Sequence, residues 1–371
     1  MPWAFDEIER EWLDGGQIPI TPQEVVAAFD RCERILGRDW IEQSRGDIRG
    51  PLSTLPVVVM GQRLAFLDGL LGSEQIIEKL RNRDPSAYAE LHAIHLLGRD
   101  RNTEFDLFPV VAVGARQRIP DLRVRRDGSL WVYVEISRPA TSEVAERAQA
   151  TVGALSEVVG MISKPIALEV FLRREPSDEE LEALRAHIAP FCLQESVSRE
   201  ELPGGLGLLI HSEHPPGMLV PTDHVGEEVC PRIGAAKMIG GGSEPTRHVM
   251  VRMPFSDQRA ERFISTEAVQ LPTDAPGLIM LDLTETRTGS RSWEPLITRR
   301  FQPNIHTRVG AVCMFSSAIL QTQDGLASLS ETKVLINPHA RIVVPFWIEA
   351  VLTAAGAEYR RVMNAKRNAD A

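Results

Sequence analysis

Apolar residues recur at helical spacing in the first part of the chain. Thr21-Pro22-Gln23-Glu24 combines a capping residue, a proline at the first helical position and a glutamate three residues after the cap. Apolar side chains then fall on one helical face: Val25, Val26, Phe29, Cys32 and Leu36. Ser73 and Asp84-Pro85 begin two further helices, and Gly98 ends the second. The pattern predicts a helical N-terminal region over residues 1–83.

The period changes from helical to alternating after about residue 100. Phe105–Val113, Ile119–Arg126 and Leu130–Ser137 have the composition or alternation of β-strands, and Asp127-Gly128 between the last two is a turn signal. A long apolar stripe that starts near Thr141 predicts a helix, and Pro165–Leu172 predicts a strand. Residues 84–173 therefore read as helix, three strands, helix, strand.

Residues 174–371 alternate helices and strands less regularly, and we expect them to extend the same core. Strands are predicted at 207–210, 248–253, 278–284, 309–316 and 333–336, and helices at 177–188, 259–270 and 346–362. The glycine- and proline-rich stretch 215–242 predicts loops. The fold class is α/β, with a mixed central sheet flanked by helices, an N-terminal helical extension and additional C-terminal strands.

Composition limits the possible environments and partners. The chain has 371 residues, of which 43% are hydrophobic and 25% charged, as in ordinary globular proteins. No apolar run reaches the length of a membrane span, so we expect a cytoplasmic protein without a membrane partner. Four widely spaced cysteines predict free thiols: Cys32, Cys192, Cys230 and Cys313. A formal net charge of −10 argues against indiscriminate coating of nucleic acid, but leaves room for a local basic groove.

The two strands around Asp127-Gly128 carry acidic residues whose faces can be deduced. Their apolar positions are even-numbered, so the odd-numbered Asp121 and Glu135 should share the opposite face. A three-residue loop, Arg126-Asp127-Gly128, keeps this parity and makes Glu135 the diagonal neighbour of Asp121, which lies opposite Tyr133. A two-residue Asp-Gly turn would put the carboxylates on opposite faces. Two carboxylates on one face suit a hard divalent cation.

Glu90 is a third candidate acid. It lies at helical spacing with Ala93, Ile94 and Leu97, on or beside a stripe that packs inward. A carboxylate in that position requires a partner, which is either a metal site or a salt bridge to an arginine such as Arg99.

Arginines cluster around Asp121, namely Arg116, Arg118, Arg123 and Arg125. They form a candidate nucleic-acid contact, with Trp131 and Tyr133 as possible stacking or packing partners. The alternative is a solvated strand face. Two histidine groups are weaker candidates. His211, His214 and His224 with Cys230 lack a zinc spacing, and His92 and His95 on the Glu90 helix are more typical of structural histidines.

Glu90, Pro120-Asp121 and Glu135-Ile136-Ser137, in this order of elements, resemble the PD-(D/E)XK nuclease superfamily over roughly residues 84–173. The resemblance implies a restriction-endonuclease-like fold with Asp121 and Glu135 as metal-binding carboxylates. It also implies that Glu90 is the helix acid, that the carbonyl of Ile136 is a further ligand, and that Mg²⁺ or Mn²⁺ is the cofactor.

The chain lacks one positive charge that this family's motif contains. Ser137 occupies the position of the motif lysine, and Lys164 is the candidate replacement. Two functions follow from the resemblance. The first is a metal-dependent nuclease acting on DNA or RNA phosphodiesters, in defence or nucleic-acid processing. The second is a catalytically degenerate relative that binds nucleic acid or a protein partner.

Overall fold

The computed structural model describes residues 3, 5, 7–46, 50–113, 116–141, 143–194, 199–212, 232–240, 245–254, 259–286 and 290–369. The N-terminal helices are α1 (Glu7–Asp14), α2 (Pro22–Leu36), α3 (Arg38–Arg45), α4 (Pro51–Leu64), α5 (Ser73–Arg81) and α6 (Pro85–Leu97). The predicted capping box of α2 is present, since Thr21 Oγ1 accepts from the Glu24 N–H and the Glu24 carboxylate accepts from the Thr21 N–H.

The middle of the chain contains β1 (Thr103–Leu107), β2 (Val111–Val113), β3 (Arg116–Arg118), β4 (Leu122–Arg126), β5 (Val132–Ser137), α7 (Glu143–Gly160), β6 (Ile166–Leu172) and α8 (Asp178–Leu193). The predicted single strand over residues 105–113 is wrong, because two strands form there. Phe108 has a φ of 53°, outside the range of a strand. Pro109 follows it and has no N–H to donate.

The later elements are β7 (Arg199–Glu201), β8 (Gly207–Ser212), β9 (Arg232–Ile239), β10 (Arg247–Pro254), α9 (Arg259–Ala268), β11 (Gly277–Asp282), α10 (Ser290–Thr298), β12 (Val309–Thr322), β13 (Gly325–Ile336), α11 (Phe346–Ala355) and α12 (Ala357–Ala369). The loop prediction for 215–242 is wrong where β9 forms, since β9 pairs with β10 along its whole length. The predicted final helix is divided at Gly356, where a β-carbon would lie 2.3 Å from Thr332 Oγ1.

The chain is mixed α/β and divides into two compact units. The first contains residues 1–139, 260–285 and 297–365, and the second contains 140–259, 286–296 and 366–371. The boundary after residue 139 falls inside the segment 84–173. Within the described ranges, each helix is too short or too polar to cross a lipid bilayer.

The first unit is built on a six-stranded sheet in the order β1-β4-β5-β11-β12-β13. Strands β5, β11 and β12 are parallel neighbours, and the other pairings are antiparallel. One face of this sheet contributes apolar side chains to the same hydrophobic core as α2, α4, α5 and α6. It does so through the even-numbered residues of β4 and β5: Leu122, Val124, Val132, Val134 and Ile136. The opposite face holds Glu135.

The second unit has its own five-stranded sheet, in the order β7-β8-β6-β10-β9. Helix α7 packs on β9 and β10, and α8 packs on α7. The helix and strand predicted after β5 are therefore α7 and β6, but β6 pairs with β8 and β10 rather than with β5. The strand that continues the first sheet beside β5 is β11, which follows α9 in the chain.

Candidate active site

The β4–β5 hairpin brings Asp121 and Glu135 together. Leu122 pairs with Val134 and Arg123 with Tyr133, and extending this register by one residue sets Asp121 opposite Glu135. The prediction of a shared face agrees with this pairing. The predicted register, with Asp121 opposite Tyr133, is displaced by two residues.

The reason for the displaced register is the connection between the strands, which is not a three-residue loop. Asp127 and Gly128 both have positive φ, 48° and 72°, and the Ser129 N–H donates to Arg126 O at 2.9 Å. This is the two-residue turn. A two-residue turn alone would invert the faces. Here one residue lies between Arg126 and Val124 on β4, but two lie between Ser129 and Val132 on the β5 side. This extra residue is a bulge that returns Asp121 and Glu135 to the same face.

Asp121 is half-buried and immediately precedes β4. Its Oδ2 accepts a hydrogen bond of 2.7 Å from the backbone N–H of Ile136. Burial raises the pKa of Asp121 to about 7, and the Ile136 hydrogen bond opposes the rise. Glu90 and then Glu267 raise this pKa through their negative charges, whereas the Lys79 ammonium lowers it. Three ionisable groups, Glu90, Glu267 and Lys79, thus act on Asp121.

Glu135 is the most perturbed of these acids. Only 5% of the residue is exposed, and its Oε1 has no hydrogen-bond partner within the described part of the chain. Burial raises its pKa to about 9, and the Asp121 and Glu267 carboxylates add to the rise. A buried carboxylate without a counter-charge favours its protonated form or a bound cation.

Glu267 on α9 is a member of this site that sequence reasoning missed. Its Oε1 accepts a hydrogen bond of 2.7 Å from the Ser137 hydroxyl. Burial raises the pKa of Glu267, and this hydrogen bond opposes the rise. Ser137 therefore binds a carboxylate and adds no positive charge.

Glu90 forms an ion pair with Lys79, a second residue that the sequence did not indicate. Lys79 Nζ on α5 lies 2.7 Å from Glu90 Oε1, and the Glu90 side chain is 4% exposed. Glu90 Oε2 has no hydrogen-bond partner among the described residues. Arg99, the arginine considered for this salt bridge, instead donates to Ala355 O at 3.2 Å.

Lys164, the replacement predicted from sequence, belongs to the second unit. Its charge lowers the pKa of the Cys192 thiol, which burial raises to about 12. Cys32, Cys192 and Cys313 are free and buried, as predicted, whereas Cys230 lies outside the described residues. His214 and His224 also lie outside them, and the His211 ring packs edge-on against Phe191.

Two of the four arginines of the predicted basic patch are neutralised by acids on β1. Arg123 pairs with Asp106, and Arg125 pairs with Glu104, both at 2.7 Å. Both guanidinium groups also stack over Trp131, at 4.5 Å from the ring centroid. Arg116 and Arg118 lie on the short β2–β3 hairpin, where Arg116 is exposed and Arg118 is half-buried. These pairs and stacks stabilise the strands, so the charge available to a nucleic acid is smaller than the sequence indicates.

The acids supply oxygen ligands of the kind that Mg²⁺ and Mn²⁺ prefer. In the conformations that the structure gives, no three His, Cys, Asp or Glu side chains of the described residues form a group able to hold a metal ion. Two buried carboxylate oxygens of this site, Glu90 Oε2 and Glu135 Oε1, nevertheless have no hydrogen-bond partner among the described residues. The donor chemistry therefore fits a divalent cation, and Asp121 and Glu135 lie opposite each other in the β4–β5 hairpin.

No protein-family model matches the chain, and no curated protein matches it. Among solved structures, the central domain of yeast acetyl-CoA carboxylase is similar at 11% identity and a TM-score of 0.17. That alignment covers 87% of this chain and 58% of the other, so the chain spans little more than half the length of that structure. A similarity of this size carries no argument about fold or function.

Proposed function

We propose that the chain is a metal-dependent phosphodiesterase of the PD-(D/E)XK type that acts on DNA or RNA. The observation that carries this proposal is Glu135. It is a buried carboxylate with an unpartnered oxygen and a pKa raised to about 9, set opposite Asp121 at the end of a hairpin. Strongly perturbed acids of this kind are typical of catalytic and metal-binding sites.

A divalent cation would be held by Asp121 and Glu135, whose mutual repulsion it would relieve. When bound, such a cation supplies Lewis-acid polarisation of a phosphate oxygen and lowers the pKa of a bound water. The Ile136 N–H, which donates to Asp121 Oδ2, fixes the orientation of that carboxylate. The carbonyl of Ile136 remains a predicted further ligand.

Lys79 supplies the cation that Ser137 does not. Its ammonium group contacts Glu90 and lowers the pKa of Asp121, so it acts on two of the predicted catalytic acids. An ammonium group near a scissile phosphate stabilises the negative charge that develops there. In this proposal Glu90 positions Lys79, and Ser137 positions Glu267 through its hydroxyl.

The order of elements in the first unit supports the same proposal. Helix α6, strands β1, β4 and β5, helix α9 and strand β11 follow one another as helix, three strands, helix, strand. Residues 140–259 belong to the other unit and interrupt this series. A restriction-endonuclease-like core with an inserted unit therefore accounts for both the motif positions and the pairing of β5 with β11.

The second candidate is a nuclease-like protein that binds nucleic acid or a protein partner without cleaving it. The observation in its favour is that the Lys79 ammonium and the Ser137 hydroxyl both bind carboxylates of the site. An ammonium held in an ion pair contributes less to a transition state than a free one. The two candidates differ in whether these contacts open when substrate binds.

Cleavage assays on the full chain decide between them. We would incubate labelled single- and double-stranded DNA and RNA with Mg²⁺ or Mn²⁺, using wild type, Glu135→Gln, Lys79→Met and the control Glu104→Gln. Glu104 is an exposed acid of the same sheet that pairs with Arg125. We expect Glu104→Gln to cleave like wild type, and the other two to lose about 10²–10³-fold in rate.

Absence of cleavage with either metal, in a wild type whose thermal midpoint is unchanged by Mg²⁺ and Mn²⁺, would overturn the nuclease proposal. Binding of the same oligonucleotides by fluorescence anisotropy would then support the second candidate.

A further inference from the structure

A small polar cavity of ≈ 150 Å³ lies in the first unit. Asp121, Glu135 and Glu267 do not line it, and Glu90 is related to it only because helix α6 carries both Glu90 and the lining residue His95. Arg63 of α4 lines it, together with His95 of α6 and Arg99 just beyond that helix. Ser328 and Ser330 of β13 line another side. These residues are basic or hydroxyl-bearing, and neither proposed function uses them.

Positive charge in this cavity is poorly compensated. Burial lowers the pKa of His95 to about 3, and the charges of Arg63 and Arg99 lower it further. The buried His92, whose Nε2 is 2.9 Å from Ser330 Oγ, has its pKa lowered by burial and by the same arginines. Burial lowers the pKa of Arg63 to about 10, although Asp282 opposes this. A site that disfavours further positive charge attracts an anion.

One acid, Glu358, is among the residues that line the cavity, and it forms an ion pair with Arg361. Glu358 on α12 has a side chain 57% exposed, and its Oε1 lies 3.3 Å from Arg361 Nη2. Solvent and Arg361 therefore screen this carboxylate. The lining keeps a positive balance in a protein whose formal net charge is −10.

Two nitrogen atoms of residues that line the cavity lack hydrogen-bond partners within the described residues. His95 Nδ1 and Arg63 Nε are buried and have no hydrogen-bond partner in the described residues. Arg63 Nη2 donates to Ser317 Oγ at 2.7 Å, and Arg99 Nη1 donates to Ala355 O at 3.2 Å. Each guanidinium has five N–H donors, so both arginines keep donors for a ligand. The positive charges and remaining N–H groups of Arg63 and Arg99 suit an acceptor-rich anion.

We propose that this cavity binds the phosphoryl group of a small ligand. A phosphoryl group offers three or more acceptor oxygens and about two negative charges, which match two guanidinium groups, an imidazole and two hydroxyls. The volume of ≈ 150 Å³ is several times what one water needs, so the group fits with room for bound water. A carboxylate would leave more of these donors without an acceptor. The proposal is independent of the nuclease activity.

The phosphoryl group can come from free phosphate or from a phosphate monoester. A second, largely apolar cavity of ≈ 300 Å³ shares Val59, Arg63 and Ser328 with the first, and Trp40 and Tyr88 also line it. The organic part of a monoester would lie there, and Arg63 lines both cavities. Free phosphate would occupy the polar cavity alone.

Isothermal titration at constant ionic strength tests this site with inorganic phosphate and with phenyl phosphate. The variants are Arg99→Gln and the control Arg101→Gln, an exposed arginine two residues away. We expect each titrant to bind Arg101→Gln as tightly as it binds wild type. Each titrant should bind Arg99→Gln at least about tenfold more weakly, because a charge-assisted hydrogen bond is lost.

Tighter binding of phenyl phosphate than of phosphate identifies a monoester as the ligand, and equal binding identifies free phosphate. Thermal midpoints of both variants establish that they fold. A second measurement follows the imidazole nitrogens by NMR, where phosphate should shift His95 Nδ1. The proposal is overturned if neither titrant binds, or if Arg99→Gln and Arg101→Gln bind alike and the His95 resonance does not move.

Discussion

Replacing Glu135 by glutamine should stabilise the protein near neutral pH, although a buried polar residue is being changed. The folded-state pKa of Glu135 is about 9, above its ordinary value of 4.5. The folded state therefore holds a proton that the unfolded chain has lost at intermediate pH. The contribution of Glu135 to the free energy of unfolding is therefore fully present below about pH 4.5 and is lost as the pH rises toward 9. Glutamine resembles the protonated acid and removes this dependence.

The size of the effect follows from the length of that pH window. Each pH unit above 4.5 costs the wild type up to about 1.4 kcal/mol of unfolding free energy. Asp121 and Glu267 raise the pKa of Glu135, so the acids compete for the same protons and the full sum is not realised. We expect Glu135→Gln to gain about 1–2 kcal/mol at about pH 7.5, or roughly 2–8 °C in thermal midpoint.

Thermal melts of wild type and Glu135→Gln across about pH 4–9 measure this gain. It should vanish near pH 4, and millimolar Mg²⁺ should stabilise wild type but not the variant. Glu24→Gln is the control, because the Thr21 hydroxyl lowers the pKa of Glu24 and its substitution should give no gain. A wild type with a flat pH profile, together with a Glu135→Gln midpoint that is unchanged or lower, would refute the reasoning.

Three further substitutions test other parts of the structure. Lys79→Met should raise the pKa of Asp121 above its value of about 7 by removing a nearby positive charge, which an NMR titration of the carboxyl carbon measures; an unchanged pKa would contradict it. Gly61→Ala should cost about 1–3 kcal/mol in urea denaturation, because its β-carbon would lie 2.4 Å from Ala28 O. Gly153→Ala in α7 should instead gain about 0.5–1 kcal/mol, since nothing lies within 4 Å and alanine favours a helix. A loss of similar size in both glycine variants would show that the close approach of α2 and α4 is not the cause.

Local sequence signals predicted much of the fold. The α2 capping box, the α6 start at Asp84 and the parity of β4 and β5 depend on residues that are neighbours along the chain, and all three appear in the structure. The observed register of β4 and β5 differs by two residues from the predicted one, because the connection is a two-residue turn followed by one additional residue on the β5 side. Periodicity does not reveal such a bulge.

The candidate site was only partly predictable for a different reason. Asp121 and Glu135 lie in one hairpin, so their pairing follows from local geometry. Lys79 and Glu267 reach the site from α5 and α9, and their approach depends on how distant segments pack. The position of β11 beside β5 is likewise nonlocal, because residues 138–276 separate the two strands.

The pairing of β5 with β11 also has a consequence for synthesis of the chain. Residues 138–276 separate the two strands, so a ribosome adding about 5–20 residues per second needs roughly 7–28 s to produce the partner of β5. During that time one edge of the hairpin has backbone N–H and C=O groups without a neighbouring strand, the condition in which strands of different nascent chains pair. Chaperone dependence during translation is therefore expected to begin once Ser137 leaves the ribosome and to end only when β11 emerges.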